Sequence, residues 1–444
     1  MHFLKKLKFP QLSKINFLHI SQFFFGSAVF LLPLRIRSLL YFGDSYSFDF
    51  FNEYLAFFVH ASEILLLLAF FFLGIALLFK FVTVDEFTFP PSKILIPFFI
   101  LLAVSAIAVP FARDPLLALL HFWRLLEFAL AAFFIASRIF DRNAILRIFV
   151  AALFFQTALA TAQFFAHGEL GFHFFGESFF TAETFNVAKT VLPTGEVLVR
   201  GMGTLAHANI LGGLAAIALL LLAMYPRKSA PVYFVSAVIF AGMFFSFSRA
   251  AYLAFFVGIF VLLVFQFRRR IISSLAAFSI FGILLFVFGS PFFVRLQSDS
   301  GIPSRLDQIS HTFEISKKNP FSVGRGAYTL SLAENFPHLE NWQLQPVHNF
   351  FALKFAEESA LTAFAWLAVF ASLAWQTFRR KKFTALALLV ATFILANFDH
   401  YFSTNFSAEA VLWIVLGFVV AEIADKKMTF RNTALRNLGI EKLK

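Results

Sequence analysis

The chain alternates between long apolar runs and short polar gaps along its whole length. Runs of roughly 18 or more apolar residues have the length of a helix that crosses the hydrocarbon core of a bilayer. They predict an all-α, polytopic membrane protein with about twelve spans of roughly 20 residues. The predicted spans are 17–34, 55–79, 94–111, 116–137, 145–166, 204–225, 232–247, 250–267, 271–290, 350–378, 383–398 and 407–423.

Basic residues mark every second gap between these spans. Clusters lie at 138–147, Arg268–Arg270 and Arg379–Lys382, and lysines also precede the first span. Basic residues are enriched in cytoplasmic loops, so both termini, including the tail 425–444, are predicted to be cytoplasmic. This topology places the medium loop 167–203 and the large polar loop 291–349 on the outer face.

Composition narrows the classes of function. The chain is 60% hydrophobic and only 14% charged, and it contains no cysteine. Disulfides, thiolate metal sites and cysteine nucleophiles are therefore excluded. The formal net charge of +12 follows from the cytoplasmic clusters and needs no nucleic-acid partner.

The large loop 291–349 is the organising segment of the sequence. Residues 1–290 before it contain the first nine predicted spans, and residues 350–424 after it contain the last three. Ser304 and Asp307 resemble a capping box, and apolar residues at helical spacing follow, so a short amphipathic helix is predicted to end at Asn319-Pro320. Arg305 falls in its predicted first turn, where the helix dipole favours an anion. A lone loop arginine that points to solvent is the simpler interpretation.

Two other residues suggest chemistry on the same face. Arg249 stands at a span boundary, where its planar guanidinium could pair with phosphate oxygens or simply anchor the helix at the interface. His348 directly precedes a span and could act as a general base, because its reference pKa of about 6.5 is close to working pH. Seven further residues are possible supporting groups: Arg200, His207, Asn209, Arg325, Asn349, Glu357 and Glu358.

Simpler structural roles compete for the supporting residues. His207 and Asn209 could form a hydrogen-bonded pair at the start of a helix. Glu357 or Glu358 could pair with Lys354, although carboxylates within a span usually face the bundle interior. Gly324 and Gly326 would allow a tight turn with close backbone approach around Arg325.

Together these motifs resemble the O-antigen ligase and polymerase family of bacterial envelope glycan assembly. The shared pattern comprises GTLAHANILGGL from Gly203, the Ser246-to-Arg249 turn, Arg305 followed by NPFSVGRG, and His348-Asn349 with an acidic residue soon after. The chain departs from the family at Ala208, where the family usually has proline. It also lacks the tryptophan that often follows the outer-loop arginine.

The resemblance implies a GT-C-like membrane glycosyltransferase of the bacterial cytoplasmic membrane, with an extracytoplasmic active site. The donor would be a glycan on undecaprenyl diphosphate, bound by Arg249 and Arg305, and His348 would activate the acceptor hydroxyl. Transfer would be inverting, with no metal and no cofactor, and membrane lipids would be further partners.

The acceptor stays open. A ligase is favoured, and a polysaccharide polymerase or a protein O-oligosaccharyltransferase shares the motifs. A lipid-linked glycan flippase is a more distant alternative, since it predicts charge near mid-membrane. Only Glu63, Arg124 and Glu127 suggest such charge. The identity of the sugar is not indicated.

Overall fold

The computed structural model describes residues 17–79, 90–184, 187–191, 195–224, 229–265 and 301–425. Helices dominate the described chain. Their bounds are α1 Phe17–Leu31, α2 Ala61–Leu78, α3 Ser92–Ala108, α4 Pro115–Ala136, α5 Arg142–Ala166, α6 Ala208–Met224, α7 Ala230–Phe245, α8 Arg249–Phe265, α9 Gly301–Lys318, α10 Tyr328–Asn335, α11 Phe350–Glu358, α12 Ala360–Arg379, α13 Phe383–Phe398, α14 Tyr401–Thr404 and α15 Phe406–Ala424.

Two small antiparallel hairpins interrupt the helices. Strand β1 (Arg37–Tyr41) pairs with β2 (Phe57–His60), and β3 (Lys189–Val191) pairs with β4 (Val197–Val199). Both hairpins lie in gaps that connect successive apolar helices.

Six of the described helices are long and apolar enough to cross a membrane, and five shorter apolar helices accompany them. Each coincides with a predicted span, so the chain is a multi-pass helical membrane protein. The predicted count of twelve stays a prediction, because span nine (271–290) lies outside the described residues.

Two of the predicted span boundaries are wrong. The second span was expected from residue 55, but residues 57–60 form strand β2 and the helix begins at Ala61. The tenth span, expected as one helix over 350–378, is broken into α11 and α12 at Ser359, whose φ is 110°. Its hydroxyl accepts a hydrogen bond from Thr362 N and so caps the second helix.

The helix predicted in the large loop is present as α9 and ends next to Asn319, as expected. It begins at Gly301, however, so Ser304 lies inside the helix and is not its N-cap. Arg305 consequently lies beyond the first turn. An anion bound beside Arg305 would therefore interact with the helix dipole more weakly than the sequence predicts, since the dipole effect falls off within the first turn.

Helix α15 forms the centre of the bundle. Its apolar segment is 94% buried, and it packs against α4, α12 and α13. Small residues permit the close approach, since a side chain at Gly417 would meet Ala132 O at 2.8 Å. Burial on all sides explains why this helix is apolar around its whole circumference.

The bundle has two chemically different ends. At one end, here called the Glu422 end, Arg142 and Lys382 each lie 3.5 Å from Glu422 carboxylate oxygens, and Arg380 donates to Ile423 O at 2.6 Å. The opposite end, called the His348 end, carries the hairpins, α9, α10 and α11. Of the basic clusters predicted to be cytoplasmic, those at 138–147 and Arg379–Lys382 thus lie at the Glu422 end. The N-terminal lysines, Arg268–Arg270 and the tail after residue 425 lie outside the described residues.

Helices α8 and α13 pack side by side, and a contact between the last described residue of α8 and the first residue of α13 indicates that they run in opposite directions. The rings of Phe265 and Phe383 stack at 4.9 Å between centroids, where one helix ends and the other begins. Arg249 and Asp399 lie the same number of residues from this contact, at the His348 end. Equal helical rise brings these two residues to the same level of the bundle.

Candidate functional site

His348 is fixed by the start of helix α11. Asn349 caps this helix, because its Oδ1 accepts a hydrogen bond from Ala352 N at 2.9 Å. The Nδ2 of Asn349 donates to Asn397 O at 3.1 Å and ties this cap to the last turn of α13. His348 is thereby held beside Asp399, the residue that ends α13.

The imidazole of His348 faces the carboxylate of Asp399. Nδ1 of His348 lies 3.5 Å from Oδ1 of Asp399, and the side chains are 23% and 7% exposed. This distance is longer than a hydrogen bond, yet short enough for direct electrostatic interaction. The pair consists of a partly accessible imidazole and a buried carboxylate.

Two donors hold the Asp399 carboxylate in place. His400 N donates to Oδ1 at 2.8 Å, and Asn209 Nδ2 donates to Oδ2 at 3.1 Å. Burial would raise the pKa of the Asp399 carboxyl, but the neighbouring imidazoles of His348 and His400 keep it well below its usual range. Asp399 is therefore a carboxylate at neutral pH.

Arg200 holds Asn209, one of these two donors, in position. Its side chain is almost fully buried; Nε donates to Ser246 O at 2.7 Å and Nη2 donates to Asn209 Oδ1 at 2.6 Å. His207 Nδ1 accepts from Asn209 N at 3.0 Å, which confirms the expected hydrogen bond at the start of the helix. Arg200, His207 and Asn209 thus belong to one network that ends on Asp399.

Helix α9 packs against the segment that contains His348. Gln308 Oε1 accepts a hydrogen bond from His348 N at 3.2 Å. Arg305, one turn earlier on the same helix, has its guanidinium carbon 5.9 Å from the centre of the Phe398 ring, next to Asp399. The loop therefore brings Arg305 close to His348 although the two residues are 43 positions apart in sequence.

Arg249 approaches from the turn between α7 and α8. Phe247 in this turn has a φ of 48°, and Ser246, whose carbonyl binds Arg200, lies just before it. Arg249 begins α8 at the level of Asp399. The turn thus accepts a hydrogen bond from Arg200 and places Arg249 at the same end of the bundle.

Arg325 does not join this group. Its Nη2 donates to Glu409 Oε1 at 2.6 Å and to Ser403 O at 3.2 Å, and Nη1 donates to His121 O at 3.1 Å. The side chain is 5% exposed, and these acceptors belong to three separate elements. Arg325 therefore acts as a buried anchor between the large loop and the bundle.

Glu357 and Glu358 belong to the same anchor. Glu358 accepts from Lys354 through Oε1 and from Ser105 Oγ through Oε2, at 2.9 Å for the latter. Glu357 Oε1 accepts from Gly326 N at 2.9 Å. The expected alternative, a salt bridge to Lys354, is what the structure shows for Glu358.

The glycines beside Arg325 form the tight turn predicted for them. Gly324 and Gly326 have φ values of 97° and 89°, which disfavour other residues. A side chain on Gly324 would lie 2.7 Å from the Cβ of Ala112. This segment binds the end of α11, since Gly324 N donates to Glu357 O at 3.1 Å.

Asp399 and His400 are the residues that sequence reasoning missed. They stand in a turn that the topology placed on the outer face, but no motif assigned them a role. His400 is buried, its Nδ1 lies 2.7 Å from Thr404 Oγ1, and its ring centre is 5.1 Å from that of His348. Burial lowers the pKa of His400 to about 4.

One cluster in the described part of the chain has the composition of a metal site. His348, Asp399 and His400 each offer a ligand atom, and these atoms lie within 4.8 Å of one another. The cluster shares His348 and Asp399 with the pair described above.

Comparison with protein families matches residues 234–358 to O-antigen ligase, which confirms the family resemblance of the sequence. The matched segment begins in α7 and ends with α11, so it contains Arg249, Arg305 and His348. Asn209 and Asp399, which complete the site, lie outside it. A comparison with curated proteins gave no match.

Proposed function

We propose that this chain, which carries an O-antigen ligase domain, transfers a glycan from undecaprenyl diphosphate to an acceptor hydroxyl. The reaction would take place at the His348 end, on the extracytoplasmic face of the bacterial cytoplasmic membrane. The observation that carries this proposal is the contact between His348 and Asp399 at 3.5 Å. His348 belongs to the matched domain, and Asp399 ends helix α13, which packs against it. A buried carboxylate behind a more accessible imidazole is the arrangement of a general base.

The contact defines which nitrogen of His348 acts. Nδ1 faces Asp399, so Nε2 is left to accept the proton of the acceptor hydroxyl. The carboxylate then stabilises the imidazolium that forms. Catalytic hydrogen bonds are often long before substrate binds and shorten in the reactive complex, which fits the separation in this pair.

Arg305 and Arg249 would bind the diphosphate. Both lie at the level of Asp399, and the planar guanidinium of each can pair with two phosphate oxygens at once. The acceptor oxygen forms a bond to the anomeric carbon while the bond from that carbon to the diphosphate oxygen breaks. The diphosphate leaves with the electron pair, and fixed guanidinium groups stabilise the charge that it gains.

Arg200 has a different role in this proposal. Its Nε and Nη2 donate to Ser246 O and Asn209 Oδ1, so the guanidinium positions the carboxylate-binding amide of Asn209. Arg200 is thus a positioning residue. Arg325, Glu357 and Glu358 hold the loop against the bundle.

The test is glycan transfer by the purified full chain in lipid nanodiscs, with a donor linked to undecaprenyl diphosphate. His348→Ala and Arg305→Ala should each lose at least about 10²-fold in rate, the usual contribution of a general base or a charge-stabilising group. Lys317→Ala, a change of an exposed basic residue on the same helix as Arg305, should keep its activity.

Transfer at the wild-type rate by both His348→Ala and Arg305→Ala would overturn these roles. The same assay offered a lipid A core, a growing glycan and an exported protein separates ligase, polymerase and protein transferase by which acceptor gains the glycan. If no acceptor is glycosylated and the donor instead crosses the bilayer, the chain is a flippase.

A further inference from the structure

The cluster of His348, Asp399 and His400 has distances suited to a metal ion. Oδ1 of Asp399 lies 3.5 Å from His348 Nδ1 and 3.9 Å from His400 Nε2. A tetrahedral zinc ion bonded at about 2.1 Å separates its ligand atoms by roughly 3.4 Å. The first distance already fits, and the second requires a shift of about half an ångström. The ring nitrogens of His348 and His400 lie within 4.8 Å of each other, so an ion would also draw the two rings together.

The surrounding contacts leave the right atoms available. Thr404 Oγ1 contacts Nδ1 of His400, so Nε2 of that ring faces the cluster. Asn209 donates to Oδ2 of Asp399. Oδ1 accepts from His400 N with one lone pair and has a second lone pair for an ion between the two histidines. The buried Nδ1 of His348 has no hydrogen-bond partner of good geometry among the described residues. Outer contacts that fix ligand orientation are typical of metal sites.

The donor set indicates the class of ion. Two imidazoles and one carboxylate suit zinc and similar transition metals, whereas calcium and magnesium prefer oxygen ligands only. Three protein ligands would leave a fourth position open. Arg200 lies behind Asn209, and its positive charge weakens cation binding, so the affinity should be below that of a structural zinc site.

We propose that His348, Asp399 and His400 form a reversible binding site for a divalent transition-metal ion such as Zn²⁺, and that the bound ion inhibits transfer. The ion occupies Nδ1 of His348 and separates this ring from Asp399. The imidazole then loses the carboxylate that stabilises its protonated form. The binding site is independent of the proposed transferase activity, and only the inhibition rests on it.

The first experiment measures zinc binding without any donor or acceptor. Tag-free full chain in detergent, stripped with a chelator, is titrated with Zn²⁺ in competition with a chromophoric chelator. The wild type should bind one ion, and His400→Ala and Asp399→Asn should bind at least about tenfold more weakly. Thr404→Val, which removes only the contact to His400, should weaken binding by about tenfold as well.

The control is His338→Ala, which removes an exposed histidine from the loop. This variant should bind zinc like the wild type. Equal zinc affinity in wild type and His400→Ala would overturn the site. Thermal unfolding without metal identifies any variant that fails to fold, and His400→Gln replaces His400→Ala in that case.

A second experiment compares transfer in buffered Zn²⁺ with each protein's own rate in chelator. The wild type should be inhibited at zinc concentrations that fill the site, and His400→Ala should need at least tenfold more. Inhibition of both proteins at the same concentration would overturn the inhibitory role. Zinc binding by a chain that shows no transfer would leave the metal site intact and contradict only the proposed function.

Discussion

Asp399 links more parts of the candidate site than any other single residue described above. It contacts His348, and it receives hydrogen bonds from Asn209 and from the backbone of His400. We predict that Asp399→Asn lowers kcat by about 10²-fold or more, since the amide cannot stabilise an imidazolium. KM for the donor should change little, because the diphosphate is bound elsewhere.

Steady-state transfer at several donor concentrations checks this prediction. Asp307→Asn, a matched change of an exposed acid on α9, is the control and should behave like the wild type. A kcat within a factor of two of the wild type in Asp399→Asn would contradict the proposed stabilisation of the His348 imidazolium. A rise in KM alone would instead place Asp399 in donor binding.

Arg305 and Arg325 should respond differently to the same substitution. Arg325→Ala leaves Glu409 buried without its partner, which costs about 3–5 kcal/mol, so the melting temperature should fall markedly. Arg305→Ala should leave the melting temperature within a few degrees and lower the transfer rate by at least about 10²-fold. Thermal unfolding in detergent together with the transfer assay separates the two. The reverse pattern would mean that Arg325 binds substrate and Arg305 supports the fold.

The sequence predicts some of these residues better than others. His348 and Arg305 stand in motifs at polar boundaries, so hydropathy and chemistry suffice to select them. Asp399 and His400 could not be selected, because their role depends on packing between α11 and α13, some 50 residues apart. Arg325 looks like a loop cation in sequence, and only the structure shows its acceptors on three other elements.

Glycine determines how closely some helices of the bundle approach one another. Helices α5 and α7 touch at Gly242, where a Cβ would lie 2.7 Å from the Cα of Thr157. Gly242→Ala should destabilise the protein by about 1–3 kcal/mol, because the helices must separate to accept the methyl group. Gly74 in α2 has nothing within 4 Å of such a Cβ, so Gly74→Ala should not lower stability.

The measurement is the melting temperature of both variants in the same detergent. A fall for Gly242→Ala alone supports the packing of α5 on α7. If both variants melt like the wild type, these two helices do not meet at Gly242.

Element boundaries show what hydropathy cannot detect. Residues 57–60 are apolar enough to extend a span, yet they pair with residues 37–41 as a hairpin. Similarly, Ser359 lies within an apolar run, but its positive φ splits the run into α11 and α12. Backbone pairing and left-handed conformations depend on tertiary contacts, whereas the apolar length of a span is a local property.

At the scale of the whole molecule, charge separates the two ends of the bundle. Arginines and lysines meet Glu422 and Asp425 at one end, while His348, Asp399 and the arginines of the candidate site meet at the other. For the basic gaps that the structure describes, at 138–147 and Arg379–Lys382, the alternation in the sequence therefore corresponds to a physical division of the structure. A lipid-linked donor could reach a site at either membrane surface. The proposed function therefore also requires that the His348 end of the bundle face the extracytoplasmic side.

Orientation gives the last prediction. Because the chain has no cysteine, single cysteines can report exposure without background. Lys317→Cys, exposed on α9 at the His348 end, should react in intact cells with a maleimide that does not cross the membrane. Asn143→Cys, exposed at the start of α5 at the Glu422 end, should react only after the membrane is permeabilised.

Reactivity of both variants in denaturant controls for cysteines that are present but poorly reactive. The reverse labelling pattern would place His348 in the cytoplasm, where an extracytoplasmic acceptor could not reach it. That result would contradict the proposed transfer even if the arrangement of His348 and Asp399 were correct. The labelling pattern therefore tests the link between the site and its function independently of the chemistry.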